Sequence, residues 1–141
     1  MIAQGQCTIF KQNVLSGLEN FASGSPYTYK IALYTALANL GPSTLTYTSV
    51  NEVVGTGYTA GGETLAPTQP TSDQTANTAY VSFANVTWSP ANFTVRGALI
   101  YNSTTNAAVA VLDFGSDKVA TNSFTITFPA ATSTTAIIRF S

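Results

Sequence analysis

From Tyr27 onward, apolar side chains return at every second position in short runs, and turn-forming residues separate the runs. Tyr27, Tyr29, Ile31 and Leu33 alternate with Thr28, Lys30, Ala32 and Tyr34, while Phe93, Val95, Gly97, Leu99 and Tyr101 share one face of a later run. A period of two is that of a pleated strand with one face in the core. Ala79-Tyr80-Val81-Ser82-Phe83 continues toward Trp88, where Ser89-Pro90 interrupts. Residues 46–54, 63–66 and 135–140 read as further strands, as does the alternation of Phe124, Ile126 and Phe128. Residues 107–114 form a run apolar on both faces, parted from the preceding strand by a polar loop from Asn102 to Asn106 and followed by a turn at Gly115-Ser116-Asp117-Lys118. No helical pattern lies between strands to carry a parallel crossover. About seven to nine short strands with turn signals about every 8–12 residues therefore predict a mainly β protein, an antiparallel β-sandwich or jelly-roll.

Helical spacing occurs once. Phe10, Val14, Leu15, Leu18 and Phe21 recur at intervals of three and four with polar residues between them, which predicts one N-terminal amphipathic helix over about residues 8–22. Thr8 is its expected N-cap, and Ala22-Ser23-Gly24-Ser25-Pro26 its expected end. Such an apolar stripe must be covered, either by the sandwich or by a neighbouring subunit. At 141 residues the chain fits a single domain, 1–141, with a core of its own. Residues 67–77, with Pro67 and Pro70, read as the longest irregular loop and an exposed excursion suited to touching a partner.

Charge sets the surface apart. Charged residues make up 8% of the chain, against roughly 25% in soluble domains. A surface made polar by Thr, Ser, Asn and Gln lacks the repulsion that keeps copies apart, and it suits a protein covered by partners. The net charge is −1 and the five cations Lys11, Lys30, Arg96, Lys118 and Arg139 are scattered, so no nucleic-acid partner is expected. No apolar run is long enough to span a membrane, and the N-terminus has no secretory pattern. Cys7 is the single cysteine and histidine is absent, which removes disulfide frameworks and the common zinc ligand sets and leaves Cys7 as a buried, idle thiol.

The stretch Gly55-Thr56-Gly57-Tyr58-Thr59-Ala60 fits the permissive form of a dinucleotide fingerprint. That motif needs a helix after its glycines to aim amides at a pyrophosphate, and here Gly61, Gly62 and then Pro67 follow. The glycines are read instead as a bend between strands, with Tyr58 either plugging the sandwich end or projecting into a neighbouring subunit. Glu52 and Glu63 flank this bend as the one carboxylate pair worth weighing for hydrolysis. Asp113 and Asp117 bracket a turn, with Lys118 as a partner for either acid and a calcium ion as the less favoured use. With neither a convincing catalytic set nor a metal or cofactor motif, the chain reads as a non-enzyme. Its seven tyrosines are assigned to a subunit interface, and Arg96 to a solvated or inter-subunit ion pair.

Four blocks carry a family resemblance. Tyr29-Lys30-Ile31-Ala32-Leu33-Tyr34-Thr35, then Asn51-Glu52-Val53 leading to Gly55-Thr56-Gly57-Tyr58-Thr59-Ala60-Gly61-Gly62, then Arg96-Gly97-Ala98-Leu99-Ile100-Tyr101-Asn102, and Ala108-Val109-Ala110-Val111-Leu112-Asp113-Phe114-Gly115 stand in this order. Together they resemble the successive blocks of a family of small virion structural proteins of tailed bacteriophages, over residues 27–139. The resemblance implies a particle component, in first place a capsid decoration or cement protein. Such a protein would be a homo-oligomer in the virion, assembled in the bacterial host cytoplasm, and would bind and stabilise the shell of major capsid protein. A tail, neck or baseplate component is an alternative partner of other virion proteins, and a host-surface carbohydrate-binding module is a third reading. Candidate contact residues are Phe10, Val14, Leu18 and Phe21 in the helical segment, Tyr58 in the glycine bend, Pro67 and Pro70 in the loop, and Arg96.

Overall fold

The two most apolar stretches pair with each other. In the computed structural model, which describes residues 1–141, strands Phe93–Asn102 (β7) and Ala107–Ala120 (β8) form the long hairpin at the heart of the molecule. They belong to a five-stranded sheet in the order β1-β8-β7-β2-β3, where β1 is Gly5–Gln6, β2 is Tyr29–Tyr34 and β3 is Glu63–Thr64. Strands Thr71–Asp73 (β4), Thr78–Val81 (β5) and Ile138–Phe140 (β10) form a three-stranded sheet in the order β10-β5-β4. Val86–Trp88 (β6) pairs with Phe124–Ile126 (β9). All pairings between these strands are antiparallel. The protein is thus mainly β with one helix, consistent with a β-sandwich, and Tyr29, Ile31, Leu33, Leu99, Val109, Val111, Trp88 and Ile138 lie in its core.

The helix is shorter than its apolar spacing predicts. It runs Thr8–Leu15 (α1), with Cys7 rather than Thr8 at the N-cap position and no side-chain cap. It stops because Gly17 adopts φ +74°, so that Leu18 N–H donates to Asn13 O at 2.8 Å and Gly17 N–H to Val14 O at 3.2 Å. This is the left-handed glycine stop that satisfies the last carbonyls of a helix. The sandwich covers part of the apolar stripe: α1 packs on β8 and Phe10 is fully buried. Leu15 and Leu18 stay exposed, whereas Phe21 turns back and places its ring 4.4 Å from Tyr29 and 5.8 Å from Phe83.

Three other expectations are corrected. Residues 46–54 form no strand: Asn51 takes φ +61°, and only the single bridges Thr46 to Ala107 and Tyr34 to Glu52 remain. The turn read at residues 115–118 lies inside β8. Gly115 bends the strand with φ +81°, Asp113 Oδ1 accepts its N–H at 2.9 Å, and pairing with β7 resumes at Lys118. Residues 67–77 are not a structureless excursion, since residues 71–73 pair with β5 through a turn closed by Asp73 Oδ1, which accepts from Thr75 and Ala76 N–H.

Candidate functional site

Glu52 organises the glycine bend from within. It is buried, and its carboxylate accepts from Tyr47 Oη at 2.5 Å, Tyr58 Oη at 2.6 Å and Gly61 N–H at 2.7 Å. Tyr58 Oη in turn accepts from Leu33 N–H at 2.9 Å, and Tyr101 Oη donates to Gly61 O at 2.7 Å. Burial first, then the Glu52 carboxylate, holds the Tyr47 and Tyr58 hydroxyls far above the usual tyrosine range, so both remain donors. No cation joins the cluster through an ion pair; hydrogen bonds alone compensate the buried carboxylate. The cluster closes the edge of β2 that β3 leaves open, where Val53 N–H also donates to Leu33 O. Glu63 meanwhile is exposed on β3, so the two glutamates present no shared open cleft.

The chain around this bend is nearly free of charged side chains. Between Lys30 and Glu63 the sequence holds one charged side chain, Glu52, and it is buried. The same stretch shows Leu37 (78% exposed), Leu45, Val50 and Val54 (93% exposed) to solvent. Asn51 Nδ2 donates to Leu37 O at 3.1 Å, and the Met1 amine to Ala38 O at 3.0 Å, which ties the loops at 35–40 and 48–51 and the N-terminus together. The centres of protein interfaces are likewise depleted of charge.

The predicted contact residues fall in several places. Phe10 is core; Val14, Phe21 and exposed Pro70 border one apolar hollow, and Leu18 is exposed. Pro67 is half-buried and bridges to Phe83. Tyr58 plugs the sandwich, with its ring 6.0 Å from Phe93 and 6.4 Å from Trp88. Arg96 pairs within its own chain, Nε to Asp113 Oδ1 at 3.3 Å, and Lys118 donates to Ser116 Oγ rather than to either acid. Of the tyrosines assigned to an interface, Tyr29, Tyr34 and Tyr101 are core residues. Cys7 is fully buried, and burial lifts its thiol to about 11, in keeping with an idle role.

Asp113 gives this region a pH dependence. The Gly115 N–H first, and then Arg96, hold its carboxyl below the ordinary value of 3.8. A depressed carboxyl stabilises the fold above its unfolded value, and that contribution is lost as pH falls through the folded one. Asp113→Asn is therefore expected to melt below the wild type at pH 7, with the gap closing below about pH 4. Thermal melts between pH 2 and 7 measure this, and parallel curves would refute it.

Compared with protein-family models, with curated proteins and with solved structures, this chain matches none.

Proposed function

We propose that this protein is a structural component of a tailed-bacteriophage particle, in first place a capsid decoration or cement protein. In this reading it is a homo-oligomer in the virion, assembled in the host cytoplasm, and it binds and stabilises the shell of major capsid protein without acting as an enzyme. The observation that carries the reading is that the stretch 31–62 exposes Leu37, Leu45, Val50 and Val54 while its one charged side chain, Glu52, is buried. Covering it removes apolar area from water and strips hydration from no charged side chain. Repeated copies on a symmetric shell are not driven apart by a surface of this kind. The block resemblance supplies the particle context. The tyrosines needed for a sugar platform are largely spent in the core and on Glu52, which ranks a carbohydrate-binding module below the particle readings.

Two measurements test this. In purified particles, a copy number on the order of hundreds supports a shell component, whereas about six or twelve copies would move the assignment to a tail or neck ring. In the isolated protein, the double variant Leu37→Asp, Val54→Asp is expected to keep its fold, because both side chains are exposed. It is also expected to lose self-association or shell binding by about a hundredfold or more, since each new carboxylate would be buried unpaired. Unchanged association would sink the assigned surface.

A further inference from the structure

A second feature lies away from that surface, where an apolar hollow of about 210 Å³ opens between the N-terminal segment and the three-stranded sheet. Phe10, Val14 and Phe21 form one wall and Val81, Ile138 and Phe140 another. Glu19, which follows the helix stop in an irregular stretch, also borders it. Its Oε1 accepts from Asn102 Nδ2 at 2.6 Å and from Tyr29 Oη at 3.5 Å. Its Oε2 is buried with no hydrogen-bond partner, and no basic residue borders the hollow. Burial raises the Glu19 carboxyl above its ordinary range. Buried carboxylates are as a rule paired or fully hydrogen-bonded, so an unanswered oxygen beside an apolar recess marks a site that lacks its donor.

We propose that this hollow receives a lysine side chain from a partner protein, with its methylene stem against Val14, Phe21 and Phe140 and its ammonium donating to Glu19 Oε2. Lysine fits better than arginine because one carboxylate oxygen is already engaged. A guanidinium fork is best met by two free oxygens, whereas an ammonium needs only one. The long methylene stem matches the apolar walls. Phe140 and Pro70, both exposed, border the hollow and favour apolar neighbours beside that lysine. Oε2 is closed off from water in the free chain, so the ammonium reaches it only when the Glu19 side chain turns toward the hollow; Glu19 lies outside helix and strand, and that turn breaks no ladder.

The assignment is independent of the particle reading and is tested on the isolated full chain. Hexylamine and hexan-1-ol are titrated while the amide resonances of residues 18–21 and 138–140 are followed by NMR. Hexylammonium is expected to bind about tenfold more tightly than the alcohol, as a charge-assisted hydrogen bond should. Glu19→Gln is expected to fold, to bind the alcohol unchanged and to lose the preference for the amine. Equal affinities in the wild type, or a preference that survives in Glu19→Gln, would overturn the site. A blocked Leu-Lys-Leu tripeptide is expected to bind more tightly than its acetyl-lysine counterpart. If hexylamine binds but the peptides do not differ, a partner's lysine is not the occupant and the proposal fails.

Discussion

Glu52→Ala is expected to lower the unfolding free energy by about 3–5 kcal/mol, a large share of a domain's total stability. The loss arises less from the carboxylate than from the donors it leaves behind. Tyr47 and Tyr58 hydroxyls and Gly61 N–H would each be stranded in or near the core, at about 1–3 kcal/mol for each group left unsatisfied. Part of that is recovered where water enters beside half-exposed Tyr47. Glu52→Gln keeps the shape but exchanges one acceptor for a donor, and it should cost about 1–2 kcal/mol. A double-mutant cycle of Glu52→Gln with Tyr58→Phe should return a coupling of about 1 kcal/mol or more, since the two groups share a hydrogen bond. Urea denaturation reads all three. A loss below about 1 kcal/mol in Glu52→Ala would mean that the carboxylate does not organise the bend.

Gly62→Ala is expected to be at least as damaging, with a cost of about 4 kcal/mol or more, whereas Gly17→Ala should cost only about 1–2 kcal/mol. Both glycines have similar dihedrals, φ +79° and +74°, so the penalty for a left-handed backbone is shared. They differ in what a methyl group would meet. At Gly62 the added carbon would lie 1.8 Å from Ile31 O, a backbone atom of β2, while at Gly17 nothing lies within 4 Å. Relieving the first contact means parting β3 from β2, since Ile31 pairs with Glu63. Gly57 is similarly placed, at 1.7 Å from Pro90 O. Chemical denaturation of the two alanine variants side by side provides the comparison. Equal losses would show that conformation alone, rather than the close approach, keeps Gly62.

These two variants also explain the glycine-rich stretch at residues 55–62. Its resemblance to a nucleotide loop comes from a shared need for backbone without Cβ, but here the atoms approached are carbonyls of the same chain rather than phosphate oxygens. The amide that the loop does offer, Gly61 N–H, is given to Glu52.

Strand identity was legible wherever alternation was strong, as in β2, β7 and β9, because a pleat exposes every second residue to the same environment. Element ends were less so. Leu18 and Phe21 keep helical spacing after Leu15, yet Gly17 already held the stop signal in the sequence; the apolar pattern continues because Phe21 packs on the same core by a different path. Residues 115–118 have the composition of a turn, but a bulged strand uses the same residues, and the ladder with β7 decides between them. The role of Glu52 was hidden for a similar reason. Tyr47 and Gly61 are near in sequence, but whether a carboxylate faces solvent or its neighbours' hydroxyls depends on which strand edge lies beneath it.

Periodicity and composition alone were enough to require a mainly β, antiparallel protein with one N-terminal helix and a surface poor in charge, because both are properties of the chain that survive any arrangement of its strands. The tertiary structure settled which apolar residues remain outside, that Glu52 and its partners seal the edge of β2, and that Glu19 is left with an unpaired oxygen. Those facts depend on contacts between residues far apart in the chain, such as Asn102 with Glu19 and Arg96 with Asp113, and local patterns carry no record of such contacts.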